Sequence, residues 1–406
     1  MRKPGIKERN LYLKRVQPHI GTNIIKVLVG HRRAGKSYLM LNIINSIMKI
    51  DGKANIIYIN KEEYEFDSIK NYHDLQAFFD SKYQKKRNNY FFVDEIQEIE
   101  DFERCIRNIF STNLADIYIS GSNADMLSGE LATMLSGRYI EVRVHPLSYP
   151  EYLDFFEQAN SVESFNAYLK QGGMPGLLHI NRNEEPVRDY LRGILSTILL
   201  KDVVARYNIR NVSFLDNLVR YLSGNIGSLV SAKSISDFLK SQRIKVSPNL
   251  VLDYLSHLSS AYFTNKVLRF DVVGKRVFEI GEKYYFEDLG LRNILTGYNP
   301  NDISKLLENV VYNHLVIAGF EVNVGYKGDM EIDFVAVRNG ETIYVQVCYL
   351  LTGERVMEHE FGNLLSIPDN YKKYVVSMDS FSASNTYKGI EHISVPDFCL
   401  FLLSEQ

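Results

Sequence analysis

The stretch VLVGHRRAGKSYLM, Val27 to Met40, sets Gly30 four residues ahead of Gly35-Lys36-Ser37. With that spacing a backbone loop can cradle phosphate, because glycine's freedom of φ lets successive N–H groups converge at a helix N-terminus that favours negative charge. The candidate phosphate contacts are Gly30, His31, Arg32, Arg33, Ala34, Gly35, Lys36, Ser37 and Tyr38. Lys36 is expected to reach the β and γ phosphates of a nucleoside triphosphate, and the Ser37 hydroxyl to ligate magnesium. An apolar run precedes the loop and SYLMLNIINSIM follows it with helical spacing, which is the strand-loop-helix setting such a loop needs.

A hydrolytic site also needs acid at the end of another buried strand. NYFFVDE supplies Asp94 to orient magnesium through water and Glu95 to polarise the attacking water as a general base. DIYISGSN reads as a third strand whose polar end would stand beside a γ phosphate, with Ser122 as its sensor and Asn123 or Ser120 as substitutes. Arg138, just before YIEV, would stabilise transition-state charge in its own or a neighbouring subunit, or serve as a surface ion-pair partner.

The elements that must hold these residues follow from changes of period. From Asn23 to about Val144, the β-rich runs IIKVLVG, ANIIYIN, NYFFVDE, DIYISGS and YIEVRV alternate with helical segments, which implies a parallel sheet covered on both faces. Pro146 and Pro150 end it. A mostly helical stretch follows. Then SAKSISDFLKSQ and SPNLVLDYLSHLSSA, the latter with Ser247-Pro248 as helix start, lead to a hairpin around Gly274, an order that suggests a winged helix. The last hundred or so residues read as α-β-β-β-α-β. The predicted organisation is α/β: a P-loop core over 1–146, a helical linker or lid over 147–211, a winged-helix-like domain over 212–298 and a separate α/β domain over 299–406.

The 406 residues exceed one ordinary core at roughly 150 residues per domain, and 45% apolar residues suffice to fill several. Forty-seven basic residues against 49 acidic ones leave no global positive field, so any nucleic-acid binding must come from a local patch. The charged start MRKPGIKERNLYLKR lacks a signal-peptide pattern, and no run approaches the roughly 18 apolar residues that cross a membrane. Cys105, Cys348 and Cys399 form no CxxC pair, and Glu358-His359-Glu360 reads as a solvated helix face, so neither disulfides nor a zinc site is expected. A reducing, cytoplasmic setting fits.

Together GHRRAGKS, FFVDEIQEI, ISGSN, LSGRY and HPLSYPEYL resemble the prokaryotic AAA-type ATPases that carry a C-terminal domain of unknown function, and YLKQGGMPGLL, LLKDVVARYNIRN and KYYFEDLGLRN extend the resemblance through the middle of the chain. It implies an AAA-type core using ATP and Mg2+, with no established substrate. The C-terminal stretch is similar to the restriction-endonuclease-like fold, in which a helix acid, a strand aspartate and an acid-x-lysine on the next strand hold magnesium and activate water. Glu308 and Asp333 match the first two positions, while Asp329, Glu331 and Asp333 alternate as on one strand face. In YVQVC, Gln346 stands where the acid belongs and Cys348 where the lysine belongs. The expectation is a degenerate nuclease-like site used for binding or assembly.

Three outputs remain open at this level. The favoured output is binding to DNA switched by nucleotide state, through the winged-helix and nuclease-like domains: Lys233, Lys240, Arg243 and Lys245, with Arg269, Lys275 and Arg276 around the hairpin and Ser247 and Asn249 at a helix start, would suit DNA. The same surface would suit a protein partner in a signalling or scaffold ATPase. The least favoured reading is an active ATP-dependent nuclease. Assembly into an oligomer is compatible with all three.

Overall fold

The computed structural model describes residues 7–127, 137–379 and 386–404. Contacts divide the chain into two compact units, Met1–Pro146 with Ser260–Tyr262, and Leu147–Ser259 with Phe263–Gln406. Among the described residues no helix is long and apolar enough to cross a membrane.

In the first unit, helix α1 (Asn10–Val16) precedes β1 (Ile25–Val29), α2 (Lys36–Ile50), β2 (Asn55–Asn60), α3 (Tyr72–Lys82), β3 (Asn89–Asp94), α4 (Phe102–Ser111), β4 (Asp116–Gly121) and β5 (Tyr139–Arg143). The strands form one sheet in the order β2-β3-β4-β1-β5, and every neighbouring pair is parallel. A parallel sheet is covered on both sides, so its strands must be apolar on both faces. Ile25, Val27, Val29, Phe91, Val93, Ile117 and Ile119 face Leu75 and Phe79 of α3 and Ile106 and Ile109 of α4. Leu28, Phe92, Tyr118 and Val142 face Tyr12 and Val16 of α1 and Leu39, Ile43 and Ile47 of α2. The buried Arg9 guanidinium ties α1 to the loops at the sheet edge, donating to the carbonyls of Ala34 at 2.9 Å and His145 at 2.8 Å.

The second unit opens with helices α5 (Tyr149–Phe155), α6 (Val162–Gln171) and α7 (Glu184–Thr197). Three more, α8 (Val212–Gly224), α9 (Ala232–Ser241) and α10 (Pro248–Ser260), are followed by the hairpin β6 (Thr264–Asp271) and β7 (Arg276–Phe286). A lone antiparallel bridge joins Val230 to Glu282. After α11 (Leu289–Thr296) come α12 (Ile303–Ile317), β8 (Glu321–Lys327), β9 (Met330–Arg338), β10 (Glu341–Val347), α13 (Glu354–Leu365), β11 (Lys372–Ser377), β12 (Thr386–Tyr387), β13 (Ile390–Ser394) and α14 (Val395–Ser404). The expected α-β-β-β-α-β order is present, extended by the last two strands and helix. These strands do not make a sheet of their own. One eight-stranded sheet runs β12-β13-β11-β10-β9-β8-β6-β7, with Arg269, Phe270 and Asp271 of β6 pairing in parallel with Val324, Gly325 and Tyr326 of β8. A boundary at 298/299 therefore cuts through one sheet. Asn309 of α12 strengthens the join: its side-chain amide accepts from the Phe286 N–H at 2.8 Å and donates to the Phe286 carbonyl at 2.9 Å.

Two sequence stretches far apart in the chain meet around Asp288. Its buried carboxylate accepts the Gly173 N–H at 2.7 Å and caps α11 through the Leu291 N–H at 3.0 Å. A Cβ on Gly172 would stand 2.4 Å from Asp288 Oδ1, and one on Gly290 would stand 2.1 Å from the Gln171 carbonyl oxygen, so both positions need glycine. Nearby, the fully buried Arg292 donates to the Ser223 carbonyl at 2.9 Å and pairs with Asp302 at 2.8 Å. The clamp joins α6, α8 and α11. Burial pushes the Asp288 carboxyl up to about 6, against the backbone N–H groups that favour its ionised form. A carboxyl whose folded-state pKa is raised contributes stability that is full at low pH and is lost as pH rises through that value. Removing Asp288 should thus cost most in acid. The destabilisation by Asp288→Ala, read by urea denaturation, should shrink by roughly 2–3 kcal/mol between pH 4 and pH 7; a cost that grew with pH would contradict the assignment.

Candidate functional site

The loop after β1 takes its shape from left-handed φ values at Gly30 (+139°), Arg33 (+66°) and Gly35 (+100°). Gly30 has a second reason to lack a side chain, since a Cβ there would lie 2.1 Å from the Val144 carbonyl oxygen. The Val144 N–H donates to the Val29 carbonyl at 2.7 Å, which holds the end of β5 against the loop. Lys36 opens α2 and is buried; its ammonium donates to the carbonyls of Gly30 at 3.0 Å and His31 at 3.2 Å. His31 and Ala34 are wholly buried, Arg32 pairs with Glu62 at 3.2 Å, and Arg33 and Tyr38 are exposed.

β1 lies between β4 and β5, where the strand order reverses, and β3 is one strand further on. Ligands of open parallel sheets bind at such a reversal, outside the carboxyl ends of the strands. Asp94 ends β3 there with no exposure. The Ser120 hydroxyl donates to Asp94 and accepts the Glu95 N–H at 3.1 Å, so one group from β4 orients both acids. Glu95 sits at a φ of +56°. Its Oε1 is 3.6 Å from the Lys36 ammonium, while Oε2 accepts from Ser122 at 3.1 Å and Gln97 at 2.5 Å.

Electrostatics separate the two acids. Burial pushes the Glu95 carboxyl upward, but Lys36, Arg32 and the hydrogen bonds from Gln97 and Ser122 outweigh it and hold the group below the usual glutamate range. Burial dominates at Asp94 and raises it, and the charge of Glu95 adds to that, while hydrogen bonds from Ser120 and Ser37 and the charge of Lys36 oppose. Ser37 and Asp94 thus present adjacent hard oxygens beside a fixed ammonium, the donor set that suits magnesium and a phosphate chain. Gln97 had no signal in the sequence beyond lying in the VDEIQEI run.

Lys36, Ser37, Asp94, Glu95 and Ser122 come together, with Ser120 and the buried Asn123 beside them. Arg138 does not join them in its own chain. Its carbonyl accepts from the Ile25 N–H at 2.9 Å and its guanidinium lies 5.8 Å from the Phe110 ring centroid, at the amino end of β5. The phosphate loop is at the carboxyl end, roughly 17 Å of strand away. Arg143 occupies that end instead, in register with Val29 and 4.9 Å over the Tyr262 ring. Leu135 and Ser136 of LSGRY lie outside the described residues.

In the second unit, Glu308 of α12 and Asp333 of β9 do come together. A cation the sequence did not mark lies between their elements: Lys283 of β7 is 2.8 Å from Glu308 and 2.7 Å from Glu331. Gln346 turns to the chain, its side-chain oxygen 3.4 Å from the Asp333 N–H. Asp333 in turn accepts the Val347 N–H at 2.8 Å. Burial pushes the Cys348 thiol up to about 12, which leaves it neutral and a poor base. Among the described residues no group of three His, Cys, Asp or Glu stands ready to hold a metal. His359 is exposed as expected, but the Glu360 side chain beside it is only 15% exposed, so that helix face is not wholly solvated.

Residues 22–153 match a family model described as an AAA domain, and residues 162–302 match a domain of unknown function, DUF8612. An uncharacterized protein of Haemophilus influenzae is 35% identical over 408 residues, covering 98% of this chain and 100% of its own. The chain belongs to this family of AAA-domain proteins. A second relative, the uncharacterized protein MJ1544 of Methanocaldococcus jannaschii, is 30% identical over 344 residues, covering 81% of this chain and 75% of its own. The Walker-type ATPase paby2304 of Pyrococcus abyssi has a similar structure, with a TM-score of 0.50 at 15% identity over 73% of this chain and 97% of its own, a likeness of fold. The candidate phosphate site lies wholly within the AAA domain, and the domain of unknown function covers the Asp288 clamp and ends at residue 302.

The closeness of the loop to β5 can be tested directly. Gly30→Ala must move the Val144 carbonyl or abandon the φ of +139°. It should lose about 3 kcal/mol or more of stability, read as a fall in the thermal midpoint. An unchanged midpoint would mean that the loop has room the geometry denies it.

Proposed function

We propose that the AAA domain binds ATP with magnesium and hydrolyses it to ADP and phosphate. The observation that carries this reading is the buried pair of Lys36 and Glu95, 3.6 Å apart at the carboxyl edge of the sheet beside Ser37 and Asp94. Lys36 would leave the loop carbonyls for the phosphate oxygens. Ser37 and Asp94 would hold magnesium, which neutralises charge on the phosphates. Glu95, kept ionised by its surroundings, would take the proton of the water that attacks the γ phosphorus as the bond to the ADP oxygen breaks. Ser122 would fix the other Glu95 oxygen beside the γ phosphate. Any help from Arg138 would come from a neighbouring copy.

The prediction is a split between two variants. Lys36→Ala should abolish binding of a fluorescent ATP analogue, whereas Glu95→Gln should bind it normally and lose on the order of a hundredfold or more in turnover. Undiminished hydrolysis in Glu95→Gln would remove Glu95 from the role of base.

For the output we infer DNA binding through residues 212–286. Three helices, the bridge from Val230 to Glu282 and the β6–β7 hairpin follow the winged-helix order. Lys233, Lys240, Arg243 and Lys245 are exposed on and after α9, and Ser247 caps α10 by accepting the Leu250 N–H at 3.2 Å. The hairpin is a poorer source of charge: Arg276 pairs with Asp271 at 3.4 Å, and Arg269 stacks 3.7 Å over the Tyr326 ring. A protein partner is favoured by a different observation, the exposed apolar side chains Phe238 and Leu252 on the same helices. The C-terminal part is best understood as a degenerate restriction-endonuclease-like α/β fold that binds rather than cuts, because its third position offers only Gln346 and a neutral Cys348.

A salt series separates the two outputs. DNA affinity should fall steeply with salt, and the triple variant Lys240→Ala, Arg243→Ala, Lys245→Ala should flatten the log–log slope by roughly two to three. A slope unchanged by the triple variant, or a wild-type affinity indifferent to salt, would leave the protein-partner reading, to be probed at Phe238 and Leu252.

A further inference from the structure

Lys283 is the least expected charge in the second unit. It belongs to β7 of the hairpin, its side chain is 3% exposed, and it stands 2.8 Å from Glu308 of α12 and 2.7 Å from Glu331 of β9. Both carboxylates are further engaged by phenols: Tyr285 donates to Glu308 at 2.5 Å and Tyr326 donates to Glu331. Asp333 of the same strand completes the acidic group, held by the Val347 N–H. Burial, reinforced by the charge of Glu308, pushes the Asp333 carboxyl well above its ordinary range. The Lys283 ammonium is driven up by these acids against the opposing effect of burial.

We propose that the Lys283 ammonium is the permanent counter-cation of Glu308 and Glu331, with Asp333 beside them, filling the place that a divalent metal would otherwise have to take and making this centre metal-independent. Acids brought together where water reaches little beyond Glu331, whose side chain is 36% exposed, repel and must be protonated, bind a cation or acquire one from the chain. Here the chain supplies it. An ammonium offers three N–H donors to oxygens at 2.7–2.8 Å and needs no open coordination position, so it answers the carboxylates without a water-filled site. The lysine arrives from β7, so the same contact anchors the hairpin to α12 and β9.

The test uses the full chain without nucleotide, in a Ser37→Ala background so that the phosphate loop takes up no metal, with Mn2+ as the probe. Wild-type Lys283 should show no Asp333-dependent Mn2+ binding by electron paramagnetic resonance and no rise in thermal midpoint on adding Mn2+. Lys283→Met should lower the midpoint by roughly 10 °C. Mn2+ should restore much of that loss, and adding Asp333→Asn should abolish the rescue. If Lys283→Met is insoluble when made without metal, Mn2+ during refolding should recover soluble protein from it but not from the double variant. Asp333-dependent Mn2+ binding with Lys283 in place would overturn the proposal. So would a Lys283→Met chain that Mn2+ neither stabilises nor rescues.

Discussion

A parallel sheet buried on both faces leaves its strands no side on which to carry polar chemistry. β1 and β3 are buried along their whole length, and their alternate residues feed two separate cores. The buried Lys26 of β1 turns back to Asp116 at the amino edge, and the site's polar groups enter where the strands stop, since parallel strands all stop at the same edge. The ends of β1, β3 and β4 therefore bring Lys36, Asp94, Glu95 and Ser122 into one place without any of them interrupting a core. The apolar layers also keep water away, which strengthens the attraction between Lys36 and Glu95 and lets one Ser120 hydroxyl orient two acids.

The same constraint explains what could be read from the residues alone. The loop spacing and the acids at the end of NYFFVDE are local signals, each a few residues long, and they mark the site because strand ends are forced to carry it. Whether Arg138 could serve its own chain was not legible, for the complementary reason. Proximity to a strand says nothing about which end of it a residue occupies, and the amino end of β5 is the wrong edge. Gln97 and Arg9 escaped notice because their partners, Glu95 and the carbonyls of Ala34 and His145, are fixed only by the folded loops.

In the second unit long-range pairing decides most of the outcome. The hairpin around Gly274 was legible from its alternation, but its parallel registration on β8 crosses some fifty residues of chain and leaves no pattern in either strand. The acids Glu308, Glu331 and Asp333 were visible as types and spacing. Lys283 was not, because a lysine in a strand ordinarily points to solvent. The reason for Gly172 and Gly290, close packing around the Asp288 carboxylate and the end of α6, exists only when α6 and α11 meet, and Gly173 is pressed against the Leu147 carbonyl.

The shared sheet bears on how this chain can be divided. β6 lies inside the sheet only because β8 pairs with its last three residues, Arg269 to Asp271. A chain ended near residue 302 would leave the end of β6, Arg269 to Asp271, without its backbone partner, and Lys283 with neither glutamate beside it. Such a fragment would be prone to self-pairing through the bare strand. The hairpin and the last hundred or so residues thus share one sheet and one charge cluster, and each completes the other.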